Sequence, residues 1–195
     1  MSKKTKANIV LPVHIKAPVE KVFPLCCPVE EYRWIPGWKC HLIHCPNDKV
    51  ESGTIFSEVS SAPFLLNSFR GKTTWTAVMH DPDNYKLHFR LDNEKSSSLY
   101  KIELQDDDKG GTAGTLDFTY NAANDKGGDY AGKNMEEKIR VMLSLVKTML
   151  QHYCETGKML TFAGLQKIVL SEPGLSIMDK IRIGLNRVVV LAMYK

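Results

Sequence analysis

The chain has 195 residues, of which 43% are hydrophobic and 25% charged, with a formal net charge of +4. That length supports one compact core with a short appendage, and charges of mixed sign argue against disorder over most of it. A surplus this small, with no aromatic-and-basic RNA motif beside it, argues against nucleic-acid binding.

The first residues, Met1 to Lys6, are basic but run directly into Ile9, Val10, Leu11 and Pro12, without an apolar stretch of signal-peptide length or a small-residue cleavage site. A cytoplasmic protein is expected. Ile9, Leu11, Val13 and Ile15 alternate with Val10, Pro12, His14 and Lys16, which predicts a first strand. Pro12 cannot donate to a ladder, so this strand belongs at a sheet edge. Ala17-Pro18 opens a helix with Val19, Val22, Phe23 and Cys26 on its apolar face, and a second short helix is predicted over 29–35, stopped by Pro36-Gly37.

Six more strands are predicted over 38–45, 54–59, 72–80, 85–91, 99–104 and 115–120, joined by turn residues such as Pro46-Asn47-Asp48, Asp81-Pro82-Asp83-Asn84 and the run from Asp106 to Gly111. Tyr85, Leu87, Phe89 and Leu91 alternate with Lys86, His88 and Arg90, and Leu116, Phe118 and Tyr120 alternate with Thr115, Asp117 and Thr119. The sheet therefore has one wet and one covered face. The cover is a long helix over about 130–159, where Met135, Ile139, Met142, Leu143, Val146, Met149, Leu150 and Tyr153 recur at helical spacing and Gly157 offers a terminator. Its length would be roughly 40 Å at 1.5 Å per residue.

Beyond Thr161 come a short apolar segment over 162–170, a break at Ser171-Glu172-Pro173-Gly174, and a last amphipathic stretch over 176–195 with Ile177, Ile181, Leu185, Val188 and Leu191 on one face. Lys167, Lys180, Arg182, Arg187 and Lys195 against Glu172 and Asp179 put +3 of the net charge here. The longest strictly apolar run, 188–194, is far short of the roughly 20 residues that span a bilayer, so no membrane insertion is expected. Packing on the domain or a homodimer interface suits this segment better than a membrane surface, because its polar face mixes Asp179 and Asn186 with the bases. The reading gives a domain over 1–160 and a helical extension over 161–195.

Strand, two short helices, six strands and a long helix is the order of a helix-grip α+β fold, and local motifs agree: Ile15-x-Ala17-Pro18-x-Glu20-Lys21-Val22-Phe23, Trp34-x-Pro36-Gly37-Trp38, Gly53-Thr54-x-Phe56, Asp81-Pro82 and Gly110-Gly111-Thr112. On these the chain resembles the START-like, or SRPBCC, superfamily over about residues 7–160. The resemblance implies a seven-stranded curved antiparallel sheet gripping the long helix around a cavity. It spans lipid carriers, hormone receptors, aromatic cyclases and activators of a chaperone ATPase, so the fold leaves function open. The extension beyond 160 departs from the minimal pattern of that superfamily.

Alternation places Trp38, Leu42, Phe56, Trp75, Leu87, Phe89, Tyr100, Ile102, Leu116, Phe118 and Tyr120 on the covered face, with Met142 and Val146 facing them from the helix. They line a cavity or fill a core, and periodicity alone does not separate the two. Aromatics and the methionines Met135, Met142 and Met149 favour a cavity, since methionine adapts to irregular gaps. Counting from Trp38 brings His44 inside, and counting from Phe56 brings Glu58 inside. Together they suit either a base with its orienting group or an ordinary ion pair near the strand ends. Tyr100 and Tyr120 add hydroxyls for a ligand carbonyl or for backbone groups.

Cys40, His41, His44 and Cys45 look like metal ligands, but strand partners four apart lie about 13 Å from each other, too far for one tetrahedral site. No metal and no cofactor are expected, and five cysteines with Cys26 and Cys27 adjacent suit reduced thiols. Three functions fit: a carrier or sensor of an apolar or aromatic small molecule or lipid, a polyketide cyclase or dehydratase-like enzyme, and an interaction protein like the chaperone-ATPase activators. No catalytic residue is assigned.

Overall fold

In the computed structural model, which describes residues 6–47, 50–58, 73–124, 126 and 135–171, seven strands form one sheet. They are β1 (Lys6–Ile15), β2 (Cys40–His44), β3 (Ile55–Glu58), β4 (Thr73–Asp81), β5 (Lys86–Asp92), β6 (Ser97–Asp106) and β7 (Thr112–Asn121). Their order is β1-β7-β6-β5-β4-β3-β2, antiparallel throughout. The strands from β2 to β7 run as a meander, and β1 closes the far side on β7. Pro12 is accommodated because β1 pairs on one side alone.

The β6–β7 connection shows how local chemistry fixes register. Asp107 accepts hydrogen bonds from the backbone N–H of Lys109 at 2.9 Å and of Gly111 at 2.7 Å. Gly110 takes φ 77°, where a glycine costs nothing. His14 on β1 meets the other oxygen of Asp107 at 2.6 Å, so the turn is tied to the neighbouring strand. At the foot of the same strands, the buried Thr112 hydroxyl donates to the Ala17 carbonyl at 2.7 Å and holds the entry to α1 (Val19–Leu25).

Between α1 and β2 the predicted second helix shrinks to a single 3₁₀ turn, Glu31–Arg33. Pro28 and Pro36 bracket the segment, and a residue before proline avoids the helical region, so little more than one turn fits. Gly37 then reverses the chain at φ 76°.

The long helix, α2 (Met135–Thr156), is about 33 Å long at 1.5 Å per residue and ends before Gly157, which has φ 67°. The first part of the expected helix, 130–134, lies outside the described residues. Ile139, Leu143, Met149 and Leu150 on α2 are buried against the covered face of the sheet, where Ile9, Ile15, Leu87, Phe89, Ile102, Leu116, Phe118 and Tyr120 point inward. Each such aliphatic or aromatic side chain contributes roughly 1.5–3 kcal/mol by leaving water. After α2, α3 (Phe162–Ser171) adds buried Leu165 and half-buried Ile168 to the same core. The amphipathic stretch expected over 176–195 lies outside the described residues, as do Val59 and Lys72 at two predicted strand ends.

Candidate functional site

Between sheet and helix lies a partly open cavity in which the centre of a water-sized sphere can move through about 40 Å³. A single water needs roughly 10–15 Å³ of such space, so the cavity holds about three waters or a comparably small organic group before any side chain moves. Its walls are assembled in sequence order. Glu31 and Ile35 come from the 3₁₀ region and Trp38 from just beyond the Gly37 turn. Glu58, Trp75, Leu91, Tyr100 and Phe118 come one from each strand from β3 to β7, and Met142, Leu143 and Val146 come from α2.

Hydrogen bonding explains why the segment from Cys26 to Trp38 presents these groups inward. The Trp34 indole N–H donates to the Leu25 carbonyl at 2.9 Å, and that of Trp38 donates to the Pro28 carbonyl at 2.8 Å. Two large buried rings therefore hold the loop down, and each satisfies its own polar atom. The rings in the wall meet edge to face: Trp38 with Trp75 at 5.7 Å, Trp75 with Phe89 at 5.4 Å, and Trp75 with Tyr100 at 6.4 Å between centroids. Such contacts add about 0.5–1.5 kcal/mol each beyond burial and make the wall rigid.

Two carboxyls interrupt this apolar lining. Glu31 is 5% exposed and Glu58 8% exposed. The Trp75 indole N–H donates to Glu58 Oε2 at 2.9 Å, and among the described residues neither acid forms an ion pair. Burial pushes the Glu58 carboxyl up to about 7, against the pull of the Trp75 hydrogen bond. Glu31 is held well above the usual carboxylate range, by burial first and by Glu58 second. The neighbouring thiols remain protonated near neutrality: burial pushes Cys27 and Cys40 up to about 12, and Cys26 higher. The Tyr100 phenol is raised well above its ordinary value, chiefly by burial, with Cys26 and Glu31 adding to it. What results is an apolar chamber with two acids, one of them poised to exchange a proton near pH 7.

Of the residues expected at the site, the structure brings together Trp38, Glu58, Trp75, Tyr100, Phe118, Met142 and Val146 around this cavity. Phe56, Leu87, Phe89 and Tyr120 are buried in the core but do not line it.

Leu42 and His44 require correction, since Leu42 is 52% exposed and His44 is exposed too. Trp38 lies before β2 rather than on it, so counting inward from it has no basis, and the pairing shifts between Leu42 and His44. Leu42 pairs with Phe56 and shares its side of the sheet, but β2 is the outermost strand, and the burial that covers Phe56 does not extend that far. His44 therefore cannot partner Glu58 inside the cavity.

Glu31, Ile35, Leu91 and Leu143 complete the lining and were not anticipated there. Glu31 had a signal: it stands three and four residues before Trp34 and Ile35, which places an acid on the apolar face of its turn. Among the described residues no group of three or more His, Cys, Asp or Glu is arranged to hold a metal, and no helix is long and apolar enough to cross a membrane.

No family model matches the chain, and no curated protein matches it. Solved structures do resemble it. Ara h 8.0201 superposes with a TM-score of 0.59 at 11% identity, over 78% of this chain and 99% of that one. The ZhuI aromatase/cyclase from Streptomyces sp. R1128 gives 0.56 at 12% identity, over 80% of this chain and 100% of the other. Norcoclaurine synthase from Thalictrum flavum gives 0.55 at 10% identity, over 87% and 89%. Identities this low speak to the fold and not to the activity. On sheet order, covering helix and these superpositions together, the chain has the helix-grip fold that these solved structures share.

Proposed function

We propose that the chain binds a small apolar or aromatic molecule in the cavity between the sheet and α2, as a carrier or sensor. The observation that carries this reading is the chamber itself: aromatic walls drawn from separate strands, a flexible Met142 on the helix, and a few polar atoms confined to Glu31, Glu58 and Tyr100. Ligand sites are built in this proportion, with apolar surface supplying affinity and a few polar groups fixing orientation. The size of the cavity restricts the part of the ligand that enters to a group of about three heavy atoms, and a whole ring enters as Met142 and Val146 give way. Native mass spectrometry of the purified chain tests it. A co-purified small molecule is expected, and Val146→Trp, which fills the cavity, should remove it. A wild-type chain that carries nothing and takes up no small aromatic compound overturns the reading.

A second reading, an acid–base enzyme of the cyclase or dehydratase kind, is favoured by one observation: a buried carboxyl raised to about 7 beside a second acid held protonated. Enzymes place general acids and bases near the working pH in this way. Glu58 would take a proton from the bound molecule, and Glu31 or Tyr100 would stabilise the oxygen that gains charge. Turnover that is lost in Glu58→Gln while binding persists would distinguish the enzyme from the carrier.

A further inference from the structure

We propose that the molecule held in this cavity is an amine, its ammonium group set between the carboxyls of Glu31 and Glu58 and its apolar or aromatic body against Trp38, Trp75 and Tyr100. The inference rests on the binding reading above and adds the chemical class of the ligand.

Two acids in one apolar chamber are costly to bury. Each is more than nine-tenths removed from solvent, they approach from different elements, and both line one small space. Among the described residues one hydrogen bond to these carboxyls is recorded, from the Trp75 indole to Glu58 Oε2, and none to Glu31. Buried charge without a partner costs several kcal/mol, and two like charges facing one space cost more than either alone. For packing alone, leucine or methionine would fill these positions more cheaply. A cation entering the chamber reverses the sign of both effects: it is attracted by each acid, and its N–H groups donate to the carboxylate oxygens.

The walls agree with the same charge. Trp38, Trp75 and Tyr100 line the space, and an aromatic ring attracts a cation to its face. Small carboxylates and other anions should accordingly be excluded, because they would meet two acids in a medium of low dielectric.

Protonation supplies an independent handle. Among the described residues the groups that interact with Glu31 and Glu58 are the thiols of Cys26, Cys27 and Cys40, the Tyr100 phenol and the Trp75 indole, all neutral near pH 7. Binding an ammonium ion therefore releases protons from the acid pair. With Glu58 titrating at about 7, amine affinity should rise between pH 6 and pH 8, and the affinity of an uncharged analogue should not.

The test uses the full chain with benzylamine, benzyl alcohol and phenylacetate as probes of one shape and three charges. Calorimetry gives the affinity, and the indole N–H NMR signals give the place, since Trp38 and Trp75 line the cavity and Trp34 does not. At pH 8 benzylamine should bind at least tenfold more tightly than benzyl alcohol, shift the Trp38 and Trp75 signals, and lose that advantage at pH 6. Phenylacetate should not bind. Glu58→Gln should abolish the preference, and Glu31→Gln should do the same if it folds, as its thermal transition will show. Benzyl alcohol binding as tightly as benzylamine at pH 8, with the same two signals shifted, would overturn the amine assignment and leave the cavity reading standing. None of the three probes shifting those signals would remove the cavity reading and the amine assignment with it.

Discussion

Replacing Glu58 by Gln should make the protein more stable above neutral pH and leave it nearly unchanged in mild acid. In the folded chain this carboxyl keeps its proton up to about pH 7, whereas its ordinary value is 4.5. Between those two values the folded state binds more protons than the unfolded one, so stability falls as pH rises through the window and stays lower beyond it. The difference of about 2.5 pH units is worth roughly 3 kcal/mol at 1.36 kcal/mol per unit. Glutamine keeps an oxygen to accept the Trp75 indole N–H and has no proton to lose. At pH 8 the variant should therefore exceed the wild type by roughly 3 kcal/mol, a rise in Tm of roughly 6–12 °C for a chain of this size. At pH 4.5 the two should agree within about 1 kcal/mol. Thermal unfolding at half-unit steps from pH 4.5 to 8.5 reads both curves. Parallel curves, with no gap opening between pH 5 and 7, would refute the claim that Glu58 is buried in an environment hostile to its charge.

Two further substitutions probe the fold around the site. Leu42→Ser on the exposed β2 should change stability by less than about 0.5 kcal/mol, while Phe56→Ala, at its register partner and fully buried, should cost about 3–5 kcal/mol in urea unfolding; a large loss at Leu42 would mean that this strand is covered. Thr112→Val removes a buried donor from the Ala17 carbonyl without changing shape, and a loss of about 1–3 kcal/mol is expected, with no loss if that carbonyl finds another partner.

The sheet was legible because its signal is redundant. Apolar residues alternate with polar ones over 87–91 on β5, 100–104 on β6 and 116–120 on β7, so Leu87 and Phe89, Tyr100 and Ile102, and Leu116 and Phe118 could be placed on one face without knowing the pairing. Pro12 located the edge strand by itself. Where that redundancy lapsed, the reading failed. β2 has five residues, apolar and polar by turns with no consistent period, and Trp38, the tryptophan used to set its phase, stands before the strand, just after the Gly37 turn. Leu42 and His44 were consequently turned inward when neither is buried.

The 3₁₀ segment failed for a different reason. One turn between Pro28 and Pro36 is too short for periodicity to have weight, so nothing in the pattern marked Glu31 for the site although the fold buries it. Glu58 was legible because it follows Phe56 on a strand. The cavity itself, as distinct from a filled core, depends on how far α2 stands from the sheet at Met142 and Val146, and no pattern in the sequence encodes that distance.

The central claim is that this chamber takes a ligand, and a crystal structure of the protein grown with saturating benzylamine addresses it most directly. The account predicts difference density bounded by Phe118, Trp75 and Val146, with the amine nitrogen within hydrogen-bond distance of both Glu31 and Glu58. A chamber closed by Met142 and Val146, with no density between the two acids, would contradict it.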